Sequence, residues 1–249
     1  MFLLGLSPAQ ALPNQPNHII TEPIVTGPIV TGPIVTGQAL ALDNLSFSFI
    51  PPEDSGQPRT NRAGGRRDQL CNHSMPTPSL TLLMPPTNQG TTTAEHPTFL
   101  AYIPQTSAQQ VFLTMEDEDN NYFYHTTFPL PDQAGIVSFT MPDMAPSLKP
   151  EKYYKVSLAM MCGAILDPND PVVEGWIKRV ELDLPLSPDQ GQDTALERSA
   201  LYANNGLWFD AITALADLLR SQPDNPDIID AWEELLQSVE LELLQIELL

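Results

Sequence analysis

One short segment contains the densest cluster of positive charge in the sequence. It is formed by Arg59, Arg62, Arg66 and Arg67 around Gly64 and Gly65. Glycine lets backbone amides approach a ligand closely, and the arginine fork matches a carboxylate or a phosphate. The segment therefore predicts an anion-binding loop. It is not a nucleotide-binding P-loop, because no Lys-Ser/Thr pair follows the glycines. The alternative is that these arginines pair with the acidic surface of the protein, as exposed charges commonly do.

A run of acids and amides, Glu116–Asn121, lies between two predicted strands. Carboxylate and amide oxygens suit calcium, and the candidate ligands are Asp117, Asp119 and Asn121. The run lacks the loop length, glycine and final glutamate of an EF-hand. A plain acidic hairpin tip is the alternative, because charge at a turn also discourages the pairing of sheet edges. A looser cluster with the same two interpretations contains Asp167, Asp170 and Glu174. No other cofactor is predicted.

The sequence has two cysteines, Cys71 and Cys162. No second cysteine or nearby histidine completes a zinc-ligand set around either of them. In an oxidising compartment the two would most simply pair. Closing a loop of this length would stabilise the fold by about 4–5 kcal/mol in the chain-entropy model. Two buried free thiols are the alternative.

The sequence predicts no catalytic residue. None of its 4 histidines stands near a nucleophile elbow, a metalloprotease histidine pair or a phosphate loop. No pair of carboxylates is singled out as a glycosidase pair. Four aromatic residues, Tyr122, Phe123, Tyr124 and Trp176, would suit a sugar-binding platform. The alternative is core packing, which is the default for aromatic residues in strands.

Composition limits the function classes that the chain can belong to. The 249 residues include 11 Lys+Arg and 31 Asp+Glu, a net charge of −20. This charge argues against nucleic acid as a partner, because binding a polyanion needs a cationic face. The 42% of hydrophobic residues excludes wholesale disorder. No apolar run is long enough for a membrane-spanning helix.

From residue 43 to 185 short apolar runs alternate with turn signals, a pattern typical of a sandwich or barrel of antiparallel strands. A tyrosine turn at Leu148–Val156 resembles the entry to a late strand of immunoglobulin-like and fibronectin-like domains, in which the hydroxyl bonds back to the turn. We therefore expect a mainly β sandwich of that type. The runs are Leu45–Ile50, Leu80–Met84, Thr98–Ile103, Gln110–Met115, Tyr122–Phe128, Ile136–Met141, Tyr153–Met161 and Val172–Leu184.

The segment before the sandwich has two parts. Residues 1–11 end in Ala9-Gln10-Ala11, which fits the cleavage rule of a secretory leader, although the apolar part is short and no basic residue precedes it. We interpret them as a leader truncated at its start; an ordinary disordered terminus is the alternative. Residues 12–42 contain Pro-Ile-Val-Thr-Gly three times and predict an extended linker, because regular proline blocks both helix and ladder pairing. The Ile-Val pairs leave open a strand added to a sheet edge.

Residues 186–249 carry apolar residues with a helical period. Helix boundaries are predicted at Asn204-Asn205-Gly206 and at Asn225-Pro226. The segment is similar to one tetratricopeptide repeat followed by a capping helix, and one such unit is too small to stand alone. We therefore expect these helices to pack on the sandwich, with Trp208 and Trp232 as anchors.

Several blocks of sequence occur in order across about residues 45–243: Phe49–Pro52, Pro58, Arg62–Arg66, Cys71, Leu80, Pro85, His96–Pro104, Gly135–Phe139, Tyr154, Cys162, Gly175–Ile177, Tyr202-Ala203, Gly206–Ile212 and Trp232. In these blocks the chain resembles a cyanobacterial family known as domain of unknown function 928. The resemblance implies an exported cyanobacterial protein, and it implies no activity, ligand or catalytic residue. The chain departs from the family in its repeat and its weak leader.

These observations favour an exported, non-enzymatic protein-interaction module of the cell envelope, periplasmic or extracellular, whose partner is a protein of unknown identity. The helical unit suits contact with a peptide or protein, and the acidic surface suits a basic partner. The alternatives are an envelope glycan-binding protein, an uncharacterised hydrolase and a purely structural envelope protein.

Overall fold

A computed structural model describes residues 45–52, 71, 78–119, 121–181 and 192–242. These residues all belong to one compact unit. The predicted leader, the repeat linker and the arginine cluster of Arg59, Arg62, Arg66 and Arg67 lie outside the described residues. Within them, no helix is long and apolar enough to cross a membrane.

The strands form two sheets, one with the order β1-β3-β6 and one with the order β2-β8-β7-β4-β5. All neighbouring strands are antiparallel except β2 and β8, which are parallel. Neither sheet closes on itself, so the described strands form no barrel. The strands are β1 (Thr81–Leu82), β2 (Gln89–Thr92), β3 (Thr98–Ile103), β4 (Gln110–Asp117), β5 (Phe123–Pro129), β6 (Gly135–Thr140), β7 (Tyr153–Met161) and β8 (Val172–Arg179).

Alternation of side chains explains how the five-stranded sheet builds its part of the core. Val111, Leu113 and Met115 are buried, and the residues between them are half-buried. Across the ladder, Leu113 faces Leu158 and Met115 faces Val156. Successive side chains of a strand point to opposite faces, so one face of this sheet forms core and the other is open.

Strand β3 differs because it is buried on both faces. Its residues Phe99–Ile103 are all buried, without alternation. A strand of this kind must be covered on both sides. Helix α2 (Trp208–Ser221) contacts both β3 and β2, so the helical segment completes the covering of the smaller sheet.

The tyrosine turn forms as predicted. The Tyr154 hydroxyl accepts a hydrogen bond from the Lys149 backbone amide at 2.8 Å. Tyr154 is almost completely buried, and the Tyr122 ring packs edge-on against it at 5.0 Å. The turn before β7 is therefore fixed to the strand that follows it.

Three helices follow the sheets: α1 (Gln192–Asn204), α2, and α3 (Pro226–Gln237). Both predicted boundaries are confirmed. Gly206 has a positive φ of 74°, which a helix end accommodates most easily with glycine. The Asn225 side chain accepts a hydrogen bond from the Asp227 amide, and Pro226 occupies the first turn.

The start of α2 is packed tightly onto the sheets. Trp208 is fully buried, and its indole Nε1 donates to the Leu83 carbonyl at 2.9 Å. The next residue, Phe209, packs edge-on against Phe99 at a centroid distance of 5.4 Å. A Cβ at Gly90 would lie only 2.8 Å from the Phe209 ring, so the close approach of strand and helix requires glycine there. The predicted docking of the helices is confirmed.

Trp232, the other predicted anchor, is buried in α3, which packs on α2. The segment before the sheets also joins the helices. The Phe49 ring packs edge-on against Trp208 at 5.2 Å, and the Ile50 amide donates to the Ala203 carbonyl. Helices, strands and this segment therefore share one hydrophobic core.

A disulfide joins Cys71 to Cys162, with 4.9 Å between their Cα atoms. Cys162 directly follows β7, and the Cys71 carbonyl accepts a hydrogen bond from Ser107 Oγ. The disulfide therefore connects the chain before β1 to the C-terminal end of β7, the central strand of the five-stranded sheet.

We predict that Trp208→Phe lowers the free energy of unfolding by about 1–3 kcal/mol, because the buried Leu83 carbonyl loses its hydrogen-bond donor. Trp208→Ala is predicted to lower the free energy of unfolding by about 3–5 kcal/mol. Urea unfolding measures both. The matched control is Trp232→Phe, since the Trp232 indole nitrogen makes no hydrogen bond within the described residues. Equal losses for the two Trp→Phe variants would show that the bond to Leu83 contributes nothing.

Candidate functional site

A cleft of about 450 Å³ lies where the helices meet the segment from β2 to β3. We call it the helix–sheet cleft. Its polar lining comes from three elements, because α1 and α2 each turn one face toward the strand segment. On α1 the two polar residues are four positions apart. On α2 the second and third polar residues lie three and seven positions after the first. Residues with these spacings lie on one face of a helix. They are Thr92, His96, Thr98, Arg198, Tyr202, Asp210, Thr213 and Asp217.

Asp210 fastens α2 to the strand segment at the base of this cleft. Its carboxylate accepts hydrogen bonds from the Thr93 amide at 3.1 Å and from the Thr93 hydroxyl at 2.6 Å. Burial raises the pKa of Asp210, and these hydrogen bonds only partly oppose that rise. Hydrogen bonds from Thr93 therefore stabilise the ionised carboxylate, but they do not fully compensate for the hydration that it loses on burial.

Tyr202 presents a hydroxyl that stays protonated. Burial raises the pKa of Tyr202, the charge of Asp210 raises it further, and the charge of Arg198 opposes the rise. The hydroxyl makes no hydrogen bond within the described residues. It is therefore a neutral hydrogen-bond donor with no protein acceptor there.

Thr213 contributes a second hydroxyl of this kind. Its oxygen is buried and has no hydrogen-bond partner in the part of the chain that the structure describes. A buried hydroxyl without a partner costs about 1–3 kcal/mol. Such groups are rare in native proteins, and a ligand that completes them is one physical explanation.

Arg198 contributes the positive charge of the cleft. Among the described residues, every lysine and arginine forms an ion pair with a carboxylate except Arg198 and Lys149. Arg198 is exposed and lines the cleft, whereas Lys149 lies in the turn before β7. Arg198 is therefore a cation of the cleft that no carboxylate among the described residues neutralises.

The remaining lining is apolar and comes from Ala195, Phe209, Ala214 and Leu218. His96 adds a ring whose Nε2 bonds to the Ala145 carbonyl at 2.8 Å. The cleft therefore combines an unpaired cation and two hydroxyl donors with an apolar wall, a mixture typical of ligand sites.

The family model described as Domain of Unknown Function (DUF928) matches residues 62–248. The chain belongs to this family. No curated protein and no solved structure matches the chain.

In this DUF928 protein the predicted calcium ligands form part of a braced hairpin tip. Asp117 is buried and accepts the amides of Asn121 at 2.7 Å and Tyr122 at 3.0 Å. Lys152 Nζ lies 3.4 Å from Asp117 and 3.2 Å from Asp119. Burial raises the pKa of Asp117, but these hydrogen bonds and the lysine charge outweigh it and lower the pKa overall. The calcium site stays a prediction, and the described residues contain no group of acids, histidines or cysteines suited to a metal.

The looser acidic cluster is dispersed. Asp170 braces the loop after β7 by accepting the amides of Cys162 and Asp167. Glu174 instead accepts the Ser157 hydroxyl and pairs with Lys155 on the open face of the five-stranded sheet. These carboxylates therefore have separate structural contacts.

The four aromatic residues predicted as a sugar platform are also divided. Tyr122 and Tyr124 pack against the core, whereas the Phe123 side chain is 63% exposed. Register places Phe123 and Trp176 on the open face of the five-stranded sheet, three strands apart. Arg198, Tyr202 and Thr213 are not predicted as a site from the sequence, because only tertiary packing brings α1 and α2 to the same cleft.

We predict opposite pH dependences for Asp210→Asn and Asp117→Asn, measured as unfolding free energies between pH 2.5 and 7. The pKa of Asp210 is raised on folding. Its contribution to the free energy of unfolding is therefore complete below about pH 3.9, the pKa of an aspartate in the unfolded chain, and is lost as the pH rises through the pKa in the folded protein. Relative to the unmodified protein, Asp210→Asn should gain stability as the pH rises.

The pH dependence predicted for Asp117→Asn has the opposite sign. The pKa of Asp117 is lowered on folding, so its contribution is present above the unfolded value and is lost as the pH falls through the folded value. Asp117→Asn should therefore lose stability relative to the unmodified protein as the pH rises. Slopes of the same sign for the two variants would contradict this account of their environments.

Proposed function

We propose that this protein is a non-enzymatic protein-interaction module of the cyanobacterial cell envelope, and that its partner binds in the helix–sheet cleft. The observation that carries the proposal is a set of hydrogen-bonding groups around a single cavity that have no partner among the described residues: Arg198, Tyr202 and Thr213. Binding sites use a few such groups in an otherwise apolar cleft. Their support is rigid, because α2 is fixed to the sheets by Trp208 and Asp210.

A periplasmic or extracellular location is part of this proposal. The disulfide between Cys71 and Cys162 suits an oxidising compartment. The net charge of −20 favours a protein partner over nucleic acid.

We also propose that residues 43–185 form an immunoglobulin-like or fibronectin-like sandwich and that residues 186–249 form a single tetratricopeptide-like appendage. Two features support the sandwich type: the division of the strands into two sheets and the hydrogen bond from the Lys149 amide to the Tyr154 hydroxyl. The order of α1 and α2 with a third helix after them suits the repeat. A fold of this type hosts many functions, so the functional proposal depends on the cleft alone.

Filling the cleft tests the proposal. The half-buried Ala214 lines the cleft, so Ala214→Trp is predicted to abolish capture of the protein partner from cyanobacterial envelope extract, identified by mass spectrometry. The control is Thr127→Trp, an equally large addition at an exposed position on β5. Both variants must keep the thermal midpoint of the unmodified protein. Partners retained by Ala214→Trp and lost by Thr127→Trp would move the binding surface to the open sheet face.

A second candidate function, glycan binding, is favoured by aromatic rings on that open face. His125 lies between Phe112 and Phe123, with centroid distances of 5.5 and 5.6 Å. Exposed rings of this kind stack against sugar faces. A glycan array separates the candidates, because Phe123→Ala should remove any glycan signal while leaving capture through the cleft intact.

No observation favours the hydrolase alternative. Within the described residues, neither His96 nor His125 hydrogen-bonds a hydroxyl or a thiol, and the two lie on different elements.

A further inference from the structure

We propose that the helix–sheet cleft recognises the terminal carboxylate of a peptide chain, with Arg198 as the cationic anchor and the hydroxyls of Tyr202 and Thr213 as donors. This inference rests on the proposed function and specifies its ligand. It follows from which groups of the cleft are engaged by the protein and which are not.

Charge is the first argument. The described part of this acidic protein pairs its other arginines with carboxylates: Arg179 with Glu95 and Arg220 with Asp217. Arg198 has no such partner in the part of the chain that the structure describes, although acids are abundant. A guanidinium binds a carboxylate or a phosphate through two parallel hydrogen bonds, so this side chain fits an anionic group of one of these two kinds.

The two hydroxyls are the second argument. The Thr213 oxygen is buried without a hydrogen-bond partner among the described residues, and the Tyr202 hydroxyl has none there either. The raised pKa of Tyr202 keeps its proton in place as a donor. A carboxylate accepts about four hydrogen bonds, which is enough for both hydroxyls and the arginine fork.

The acids of the cleft are already engaged, which is the third argument. Asp210 accepts hydrogen bonds from the amide and the hydroxyl of Thr93, and Asp217 is hydrogen-bonded to Arg220 at 3.2 Å. The groups that remain available for a ligand are therefore donors, and their chemistry selects an acceptor.

The apolar wall and the volume favour a chain end over an inorganic anion. A cleft of about 450 Å³ lined by Phe209, Ala214 and Leu218 has room for an apolar side chain beside the carboxylate. The last residue of a peptide combines these two groups. A small organic acid shares the carboxylate chemistry, and the experiment below separates the two sources.

The test uses the full chain and titrates acetylated tripeptides that end in Ala, Leu or Phe, each as the free acid and as the amide. Backbone amide signals of α1 and α2 in NMR spectra report binding. At least one free acid should bind roughly tenfold more tightly than its amide, since a hydrogen bond to a charged group contributes about that factor. Equal binding of acid and amide, or no binding by any acid, would overturn the proposal.

Variants locate the carboxylate. Arg198→Gln should weaken binding of the free acid roughly tenfold or more, whereas Lys149→Gln should leave it unchanged. Lys149 is the matched control, because it is the other described basic residue without an ion pair and lies outside the cleft. Equal effects of the two variants would show that only net charge matters, and the proposal would fail.

Thr213→Val separates binding from stability. Removing a buried hydroxyl that has no partner should leave the thermal midpoint unchanged or higher, while binding of the free acid falls several-fold. A loss of stability without a loss of binding would assign Thr213 to the structure alone and contradict its role as a donor.

Two further outcomes are distinct. If 4-methylpentanoate binds as tightly as the tripeptide ending in Leu, the ligand is a small organic acid and the peptide assignment is wrong. If Ala214→Trp abolishes partner capture but Arg198→Gln does not, the protein-interaction function stands and the carboxylate assignment fails. If Ala214→Trp leaves capture intact, the proposed function itself fails.

Discussion

The structure depends on the burial of Trp208 at the point where α2 begins. Its indole donates to the Leu83 carbonyl, next to β1, and its ring packs against Phe49. A buried carbonyl needs a donor, and a fully buried tryptophan removes a large apolar surface from water. This one side chain therefore joins three parts of the sequence that are far apart: the segment before the sheets, the first strands and the helices.

The cleft is a consequence of that junction. Once Trp208 and Phe209 fix the start of α2, Asp210 in the same first turn lies against Thr93, and the following turns carry Thr213 and Asp217 along the same face. Helix α1 adds Arg198 and Tyr202 from the other side. A site built on packed helices and strands holds its groups more firmly than one built on loops, which suits recognition of a small, directional group such as a carboxylate.

Local patterns predicted the elements but not their combination. The alternation in Gln110–Asp117, the tyrosine turn at Tyr154 and the helix end at Gly206 are each determined by nearby residues, and the structure has all three. The docking of the helices also followed from a unit too small to stand alone. The sheets were predicted only in part, because Leu45–Ile50 forms no strand and β2, which was not predicted, pairs in parallel with β8. The cleft was not predicted, because Arg198 and Thr213 have ordinary helical neighbours. Only the folded chain shows that the exposed Arg198 has no carboxylate partner, and the buried Thr213 oxygen no hydrogen-bond partner, among the described residues.

The central claim is that the helices and the sheets form one cooperative unit with the cleft between them. Native-state hydrogen exchange in increasing urea tests it most directly, by comparing amides of α2, such as Ile212 and Leu215, with amides of β7, such as Val156 and Leu158, all of which are fully buried. The account predicts that both sets exchange through the same opening, with the same free energy and the same dependence on urea. Exchange of the α2 amides through an opening of distinctly lower free energy, while β7 stays protected, would contradict it.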